Sequence, residues 1–432
     1  MLLPYFKHVQ YANYMCVLGT NMNRFLILLI LLAKSILYTH STLADTTFPR
    51  LMSMSIGNKQ YQNSSYQKEL AKHDIVVLGF YRNWSGQQKT MREVVQRLKE
   101  LNPDILVGQY GVMNELRDIP GDLAKDDIRR KVKESGWWLK NKSGQRVQWT
   151  TKHNAWEVNF LQLTKSDSEG KHYPQWLAER DYRIYHQLVP EFDFWYTDNV
   201  MQHPRVEADW DGDGIDDAPD SSYILDSWRS GYVAWWSHIR DLTPDMMIMG
   251  NADGDLSQSE FTGQLEGAFL EALMGKRWSL ETYKGWDFMM ERYRTVNTNL
   301  REPRIIGFNV WGDPKDYRFM RYALTSCLLG DAYFSFTDEK SGYSSVPWFD
   351  EYDVNLGGAN SPPPDKPWQN GVWRRDFENG VVLVNPNNKK AKVVLGQGLS
   401  RFLGKQAPNW NNGMQIESIV LPAKDGAILV RK

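Results

Sequence analysis

Phe192-Asp193-Phe194-Trp195-Tyr196-Thr197-Asp198-Asn199-Val200 is the stretch on which the reading of this chain turns. It is aromatic and β-branched and contains neither Pro nor Gly, which is the composition of a strand. It ends abruptly in an acid and an amide. An apolar run that finishes in Asp-Asn suits a buried parallel strand whose last residues emerge at the rim of a sheet. In (β/α)₈ barrels that rim carries the chemistry. Standing alone, Asp198 could equally cap the next helix, so the rest of the chain has to decide.

Seven further apolar runs surround this one. They fall at residues 51–56, 75–80, 105–110, 246–251, 267–271, 305–311 and 332–336. Each is continuous rather than alternating, as expected of strands buried on both faces. Amphipathic segments lie between them. Residues 90–101 have helical apolar spacing and stop at Asn102-Pro103, and residues 177–188 and 223–242 look similar. Eight strand-like runs separated by helices predict an α/β fold, a (β/α)₈ TIM barrel; an open doubly wound sheet is the alternative.

Two insertions interrupt the pattern. Residues 113–168, rich in Trp, predict a hairpin-containing loop over the rim. Residues 209–217 form an acidic loop after the fourth strand. From about Val372 the character changes to short strands, with an Asn379-Gly380 turn and strands expected at 391–395, 416–421 and 427–430. The expected organisation is an upstream segment and signal peptide over 1–44, a catalytic barrel over 45–360 and a small antiparallel β-domain over 361–432.

The N-terminal segment has the plan of an export signal. Arg24 precedes the apolar run 25–33, which is short for a membrane span, and Thr42-Leu43-Ala44 resembles a cleavage site. Cleavage there predicts a secreted protein, periplasmic or extracellular; an uncleaved segment would be the one route to a membrane. Met22 makes a suitable start for such a signal. The formal net charge of −1 over 432 residues gives no support to nucleic-acid binding. Only Cys16 and Cys327 are present, which excludes a disulfide framework and a thiolate metal cluster. Cys327 sits in an apolar helical stretch and is read as packing. Eighteen Trp and 21 Tyr are high counts, and flat rings stack on sugars, although most such rings belong to cores.

Two acids fall at the carboxyl ends of predicted strands, Asp198 on the fourth and Glu271 on the sixth. Strands two apart in a closed barrel can present side chains across its mouth. Glycosidic hydrolysis needs such a pair, one carboxylate to attack or to activate water and one acid to protonate the leaving oxygen. Glu266 competes with Glu271 from the same segment. Tyr81, Tyr110, Asn199, Asn251, Asn309, Trp311 and Asp338 are rim candidates for binding substrate, with Asp253 and Asp255 as further acids. Asp209, Asp211 and Asp213 have the alternate spacing of an oxygen-ligand calcium loop, with Gly214 at the bend and Asp217 and Asp220 where later ligands would fall. The other reading of this loop is a solvated acidic surface. The expectation is no required cofactor and at most a structural calcium. There is no GxSxG elbow, HExxH, CxxC or phosphate-cradling Gly-rich loop with Lys.

These stretches together resemble the hypothetical glycosyl hydrolases of family fifteen. The resemblance is carried by Phe48-Pro49-Arg50-Leu51, by His73 to Leu78, by Leu101-Asn102-Pro103 and by Trp195-Tyr196-Thr197-Asp198-Asn199. It continues in Asp209-Trp210-Asp211 with Asp213-Gly214, in Gly267-Ala268-Phe269-Leu270-Glu271, and in the tail from Trp373 to Pro386. That family is similar to endo-α-1,4-polygalactosaminidases and to α-galactosidase-like barrels. The resemblance implies a barrel hydrolase with Asp198 as nucleophile, an acid after the sixth strand, and a carbohydrate substrate. Its choice between Glu271 and Glu266 stays open. The expected function is a secreted glycoside hydrolase acting on a poly- or oligosaccharide, with retention of configuration implied by analogy. A non-catalytic carbohydrate-binding barrel is the alternative, and a surface-anchored structural protein a third.

Overall fold

The computed structural model describes residues 47–431, except Asn83, Ser85, Gln87 and His153. The export signal, its cleavage site and Cys16 lie outside the described residues. Eight parallel strands follow one another in the main sheet. They are β1 (Met52–Ser55), β2 (Ile75–Leu78), β3 (Leu106–Val112), β4 (Phe194–Val200), β5 (Met247–Ala252), β6 (Gly267–Met274), β7 (Ile305–Gly312) and β8 (Tyr333–Asp338). A parallel bridge from Leu51 to Phe334 joins the last strand to the first and closes the barrel. The eight runs seen in the sequence are these eight strands, so the barrel expectation holds over the open sheet.

Strand alternation explains the core. Met52, Met54, Ile75, Val77, Phe194, Tyr196, Met249 and Phe269 share one cluster that fills the lumen. Their neighbours in sequence, such as Val76, Leu78 and Trp195, belong to the clusters packed against the helices. Both faces are therefore apolar, which is why the runs are unbroken in sequence.

Helices α1 (Ser64–Leu70), α2 (Met91–Leu101), α3 (Asp126–Glu134), α4 (Tyr173–Asp181), α5 (Ser222–Leu242), α6 (Leu280–Lys284), α7 (Trp286–Asn299) and α8 (Tyr317–Leu328) complete the main elements. Thr90 and Glu93 form a reciprocal capping box at the start of α2. The helix expected over 177–188 begins earlier, because Pro174 occupies the first turn of α4, and it ends in a π-helical turn, Tyr182–His186. The 113–168 insertion holds more than a hairpin. It contains α3 and a three-stranded antiparallel sheet of Glu115–Arg117, Gln148–Thr150 and Ala155–Glu157. Arg146 lies over the rings of Trp138 and Trp156, at 3.8 and 4.3 Å, and pairs with Asp118 at 2.8 Å. This one cation, held between two rings, ties a small sheet together where few apolar residues are available.

The C-terminal strands are β9 (Trp373–Phe377), β10 (Gly380–Asn385), β11 (Ala391–Val394), β12 (Leu399–Arg401), β13 (Ser418–Leu421) and β14 (Asp425–Arg431). They form a sheet ordered β9-β10-β14-β12 and a pair β11-β13. Phe377 pairs with Gly380, so the hairpin loop is Glu378-Asn379 and the glycine belongs to the strand. Asp425 and Gly426 open β14, two residues before the expected strand start at 427. Gly426 is required there, because a Cβ would lie 1.9 Å from the Thr325 hydroxyl oxygen of α8. The same close approach lets Arg321 of α8 grip the buried Asp425 carboxylate through two nitrogens, at 2.8 to 3.0 Å. Among the described residues no helix is long and apolar enough to cross a membrane. Cys327 is buried and unpaired, as read from its surroundings.

Candidate active site

The lumen series leads directly to the site. Phe194 and Tyr196 point into the barrel, and two residues on, at the same parity, comes Asp198. Met249 leads in the same way to Asn251, and Phe269 to Glu271. The two acids and the amide therefore converge at the carboxyl-end mouth. One amide nitrogen connects them: Asn251 Nδ2 donates to Asp198 Oδ1 at 2.9 Å and to Glu271 Oε2 at 3.0 Å. The Tyr110 hydroxyl donates to the other oxygen of Asp198, and the Tyr343 hydroxyl to the other oxygen of Glu271. Burial, and then the neighbouring carboxylates, push both phenols well above their ordinary range, which keeps them protonated as donors. Burial first, and electrostatic coupling to Glu271 second, raise the Asp198 carboxyl to about 6 against the hydrogen bonds it accepts.

Each acid is followed by a residue in the left-handed region, Asn199 at φ 54° and Ala272 at φ 50°. Strand pairing slips at both places, between Thr197 and Val200 and opposite Phe308 to Val310. Bulges of this kind re-aim side chains at the edge of a site.

Glu266 is settled by position. It precedes β6, at the opposite end of the barrel, and is almost fully buried. Arg240 and Arg301 hold its carboxylate at 3.1 and 3.2 Å, and the Ile248 amide donates to it at 2.8 Å. It is an internal ion-pair residue.

Of the seven polar and aromatic rim candidates, Tyr110 and Asn251 touch the acids. Tyr81 stands edge-on to Tyr110 at 6.0 Å, and Trp311 edge-on to Tyr343 at 5.2 Å, so these two rings form a layer behind the donors. Asn199 lines a recess of about 200 Å³ on the Glu271 side. Asn309 and Asp338 do not face the cleft. Asn309 is fully buried; its carbonyl accepts the Ala272 amide at 3.0 Å, and its NH₂ is shared among Ser335 and Thr337. Asp338 holds its own turn, accepting from Ser341 Oγ at 2.7 Å and the Lys340 amide at 2.9 Å. That turn delivers Tyr343, a residue the sequence did not single out. A second recess, of about 830 Å³, opens on the Asp198 side between Tyr81, Tyr110, Tyr343 and the insertion.

In the acidic loop, carboxylate oxygens of Asp209, Asp211 and Asp217 lie within 4.8 Å of one another. Asp213 is not in that group; its carboxylate accepts the Ile215 amide at 2.8 Å.

A closed parallel barrel with two acids bridged at its carboxyl-end mouth can carry out glycosidic hydrolysis. The model of hypothetical glycosyl hydrolase family 15 matches residues 99–381, more than half of the chain, and the chain belongs to that family. It is a glycoside hydrolase, and its substrate is a carbohydrate. No curated protein matches it. Solved structures to which it is similar include the glycoside hydrolase domain of PelA from Pseudomonas aeruginosa, at 12% identity over 70% of this chain and 98% of that one, with a TM-score of 0.44. Another is an alpha-amylase from Geobacillus thermoleovorans, at 10% identity over 89% and 98% with a TM-score of 0.47. A third is the GH36 alpha-galactosidase AgaA from Geobacillus stearothermophilus, at 10% identity over 91% and 57% with a TM-score of 0.44.

Proposed function

We propose that this glycoside hydrolase cleaves O-glycosidic bonds of a poly- or oligosaccharide by double displacement, with Asp198 as nucleophile and Glu271 as acid and base. The observation that carries this reading is the Asn251 amide shared between the two carboxylates. With legs of 2.9 and 3.0 Å from one nitrogen, the shared oxygens stand no more than about 6 Å apart. Retaining pairs lie roughly 5–5.5 Å apart and inverting pairs about 6.5–9.5 Å, so the geometry favours retention. In the first step an Asp198 oxygen forms a bond to the anomeric carbon while the glycosidic bond breaks, and Glu271 gives its proton to the leaving oxygen. In the second step Glu271 takes a proton from water, whose oxygen displaces Asp198 and restores the carboxylate. Tyr110 and Asn251 hold the attacking carboxylate in place; Tyr343 fixes the rotamer of Glu271.

The leader-like segment before Asp45 supports export, so we place the substrate outside the cytoplasm. The convergence of Asp209, Asp211 and Asp217 supports a structural calcium at the loop beyond β4, with hard oxygen donors and no catalytic role. The test of the main reading is release of reducing ends from a panel of extracellular polysaccharides by the wild type, Asp198→Asn and Glu271→Gln. Loss in both variants, with folding intact, supports the pair. Full activity in either variant removes it. Binding without cleavage in the wild type would favour the carbohydrate-binding alternative.

A further inference from the structure

The recess beside Asp198 is unevenly charged. Five cationic side chains line it against three carboxylates. The carboxylates are all engaged by other groups. Glu115 accepts from the Trp149 indole and from Arg205, at 2.8 and 2.9 Å. Asp122 accepts the Ala124 amide at 2.9 Å, and Asp198 is held by Tyr110 and Asn251. Among the cations, Arg129 is spent on the carbonyls of Asp122 and Arg117. The side chains of Arg117, Lys125 and Lys152 make no hydrogen bond or ion pair among the described residues.

Lys125 is the informative one. It occupies the N-cap position of α3 without capping it, where a cation opposes the helix dipole. It is also half-buried, and burial pushes its ammonium down to about 8. Both circumstances work against stability, which is the pattern of a residue kept for function. Its Nζ lies 5.9 Å from the centre of the Tyr81 ring, and Tyr81 packs on Tyr110, the donor to Asp198. The carboxylates of Glu115, Asp181 and Asp198 act on this ammonium without contacting it, and an anionic group on the sugar next to the attacking carboxylate would give it a hydrogen-bonded partner.

We infer that the recess takes a sugar bearing an anionic substituent, a uronate carboxylate or a sulfate ester, with Lys125 as its main contact and Arg117 and Lys152 at the mouth. This rests on the proposed hydrolase reading of the same site. The net charge of −1 means that the attraction is local, not a property of the whole surface.

The experiment uses the full chain and scores binding and cleavage separately. Affinity gel electrophoresis compares polygalacturonate with its carboxyl-reduced form, dextran sulfate with dextran, and chitosan as the cationic glycan. The expected result is at least about tenfold tighter binding to one acidic polymer than to its neutral counterpart, weakening with added salt. Lys125→Met abolishes that preference, Lys125→Arg restores it, and Lys68→Met, on the exposed side of α1, leaves it unchanged. The two acidic arms separate carboxylate from sulfate. Equal binding to acidic and neutral polymers, preference for chitosan, binding to none, or an unaltered preference in Lys125→Met overturns the inference. Cleavage of neutral or amine-bearing glycans through Asp198 and Glu271 without acidic preference overturns it while leaving the hydrolase reading in place. Lys125-dependent acidic binding without any cleavage does the reverse.

Discussion

Asn309 accepts the Ala272 amide at 3.0 Å from inside the barrel, and that bond pins the left-handed residue that follows Glu271 within β6. Ala272 is at φ 50°, a conformation an alanine adopts only under constraint. The constraint is supplied by β7 and β8, because the Asn309 NH₂ is itself held by Ser335 and Thr337. Asn309→Leu should therefore leave the Ala272 amide unsatisfied and lower stability by about 2–4 kcal/mol. Turnover should fall with KM little changed, since Asn309 meets no substrate. Denaturant melts and steady-state kinetics check both halves.

Asp198 gives the pH dependence a sign. Its folded value of about 6 lies above the ordinary carboxylate value of 3.8. The attacking form is the anion, so kcat/KM should fall as pH drops below about 6. For stability, a raised carboxyl means that folding disfavours the charge; the penalty is full above pH 6 and vanishes below 3.8. Asp198→Asn should melt a few degrees above the wild type at pH 8. The gap should narrow towards pH 4. A gap that widens on acidification would refute the assignment.

The two glutamates of the β6 segment should separate cleanly. Glu266→Gln leaves Arg240 and Arg301 facing a neutral group in a nearly closed site, and should destabilise by about 3 kcal/mol while activity per folded molecule survives. Glu271→Gln should keep the melting temperature within a few degrees and lower kcat by about 10²–10⁴-fold. Parallel melts and rate measurements at one pH decide it.

Calcium at the acidic loop is tested through stability. Added calcium should raise the melting temperature of the wild type, chelator should reverse the rise, and Asp209→Ala or Asp217→Ala should abolish the response. Asp213→Ala should retain it, because that side chain serves the Ile215 amide. No calcium response in the wild type would leave the loop a solvated surface.

The barrel was legible because both faces of each strand are apolar, so every run stood out, and the two acids stood out as the polar ends of such runs. Parity in the strands could also have placed Asn251 two residues beyond Met249. Tyr343 was hidden because it lies in a loop, where one aromatic among Tyr, Trp and Phe neighbours carries no periodicity. Asn309 and Asp338 look like rim residues in the sequence, which shows position along a strand but not whether a side chain's hydrogen bonds are already used. Helix α3 leaves little trace in the sequence because its inner face is only Ile128 and Val132. The three strands beside it are three residues each, too short to show alternation. Asp217 rather than Asp213 joined the acidic cluster because the loop folds back on itself, pairing Ala208 with Asp217.

The central claim is that Asp198 becomes glycosylated during turnover. Quenching the enzyme with a cleaved polysaccharide and mapping its peptides by mass should find a sugar adduct on the peptide carrying Asp198, absent from Asp198→Asn and accumulating in Glu271→Gln when the leaving group needs no proton. An adduct on a different carboxylate, or wild-type turnover by Asp198→Asn, would contradict it.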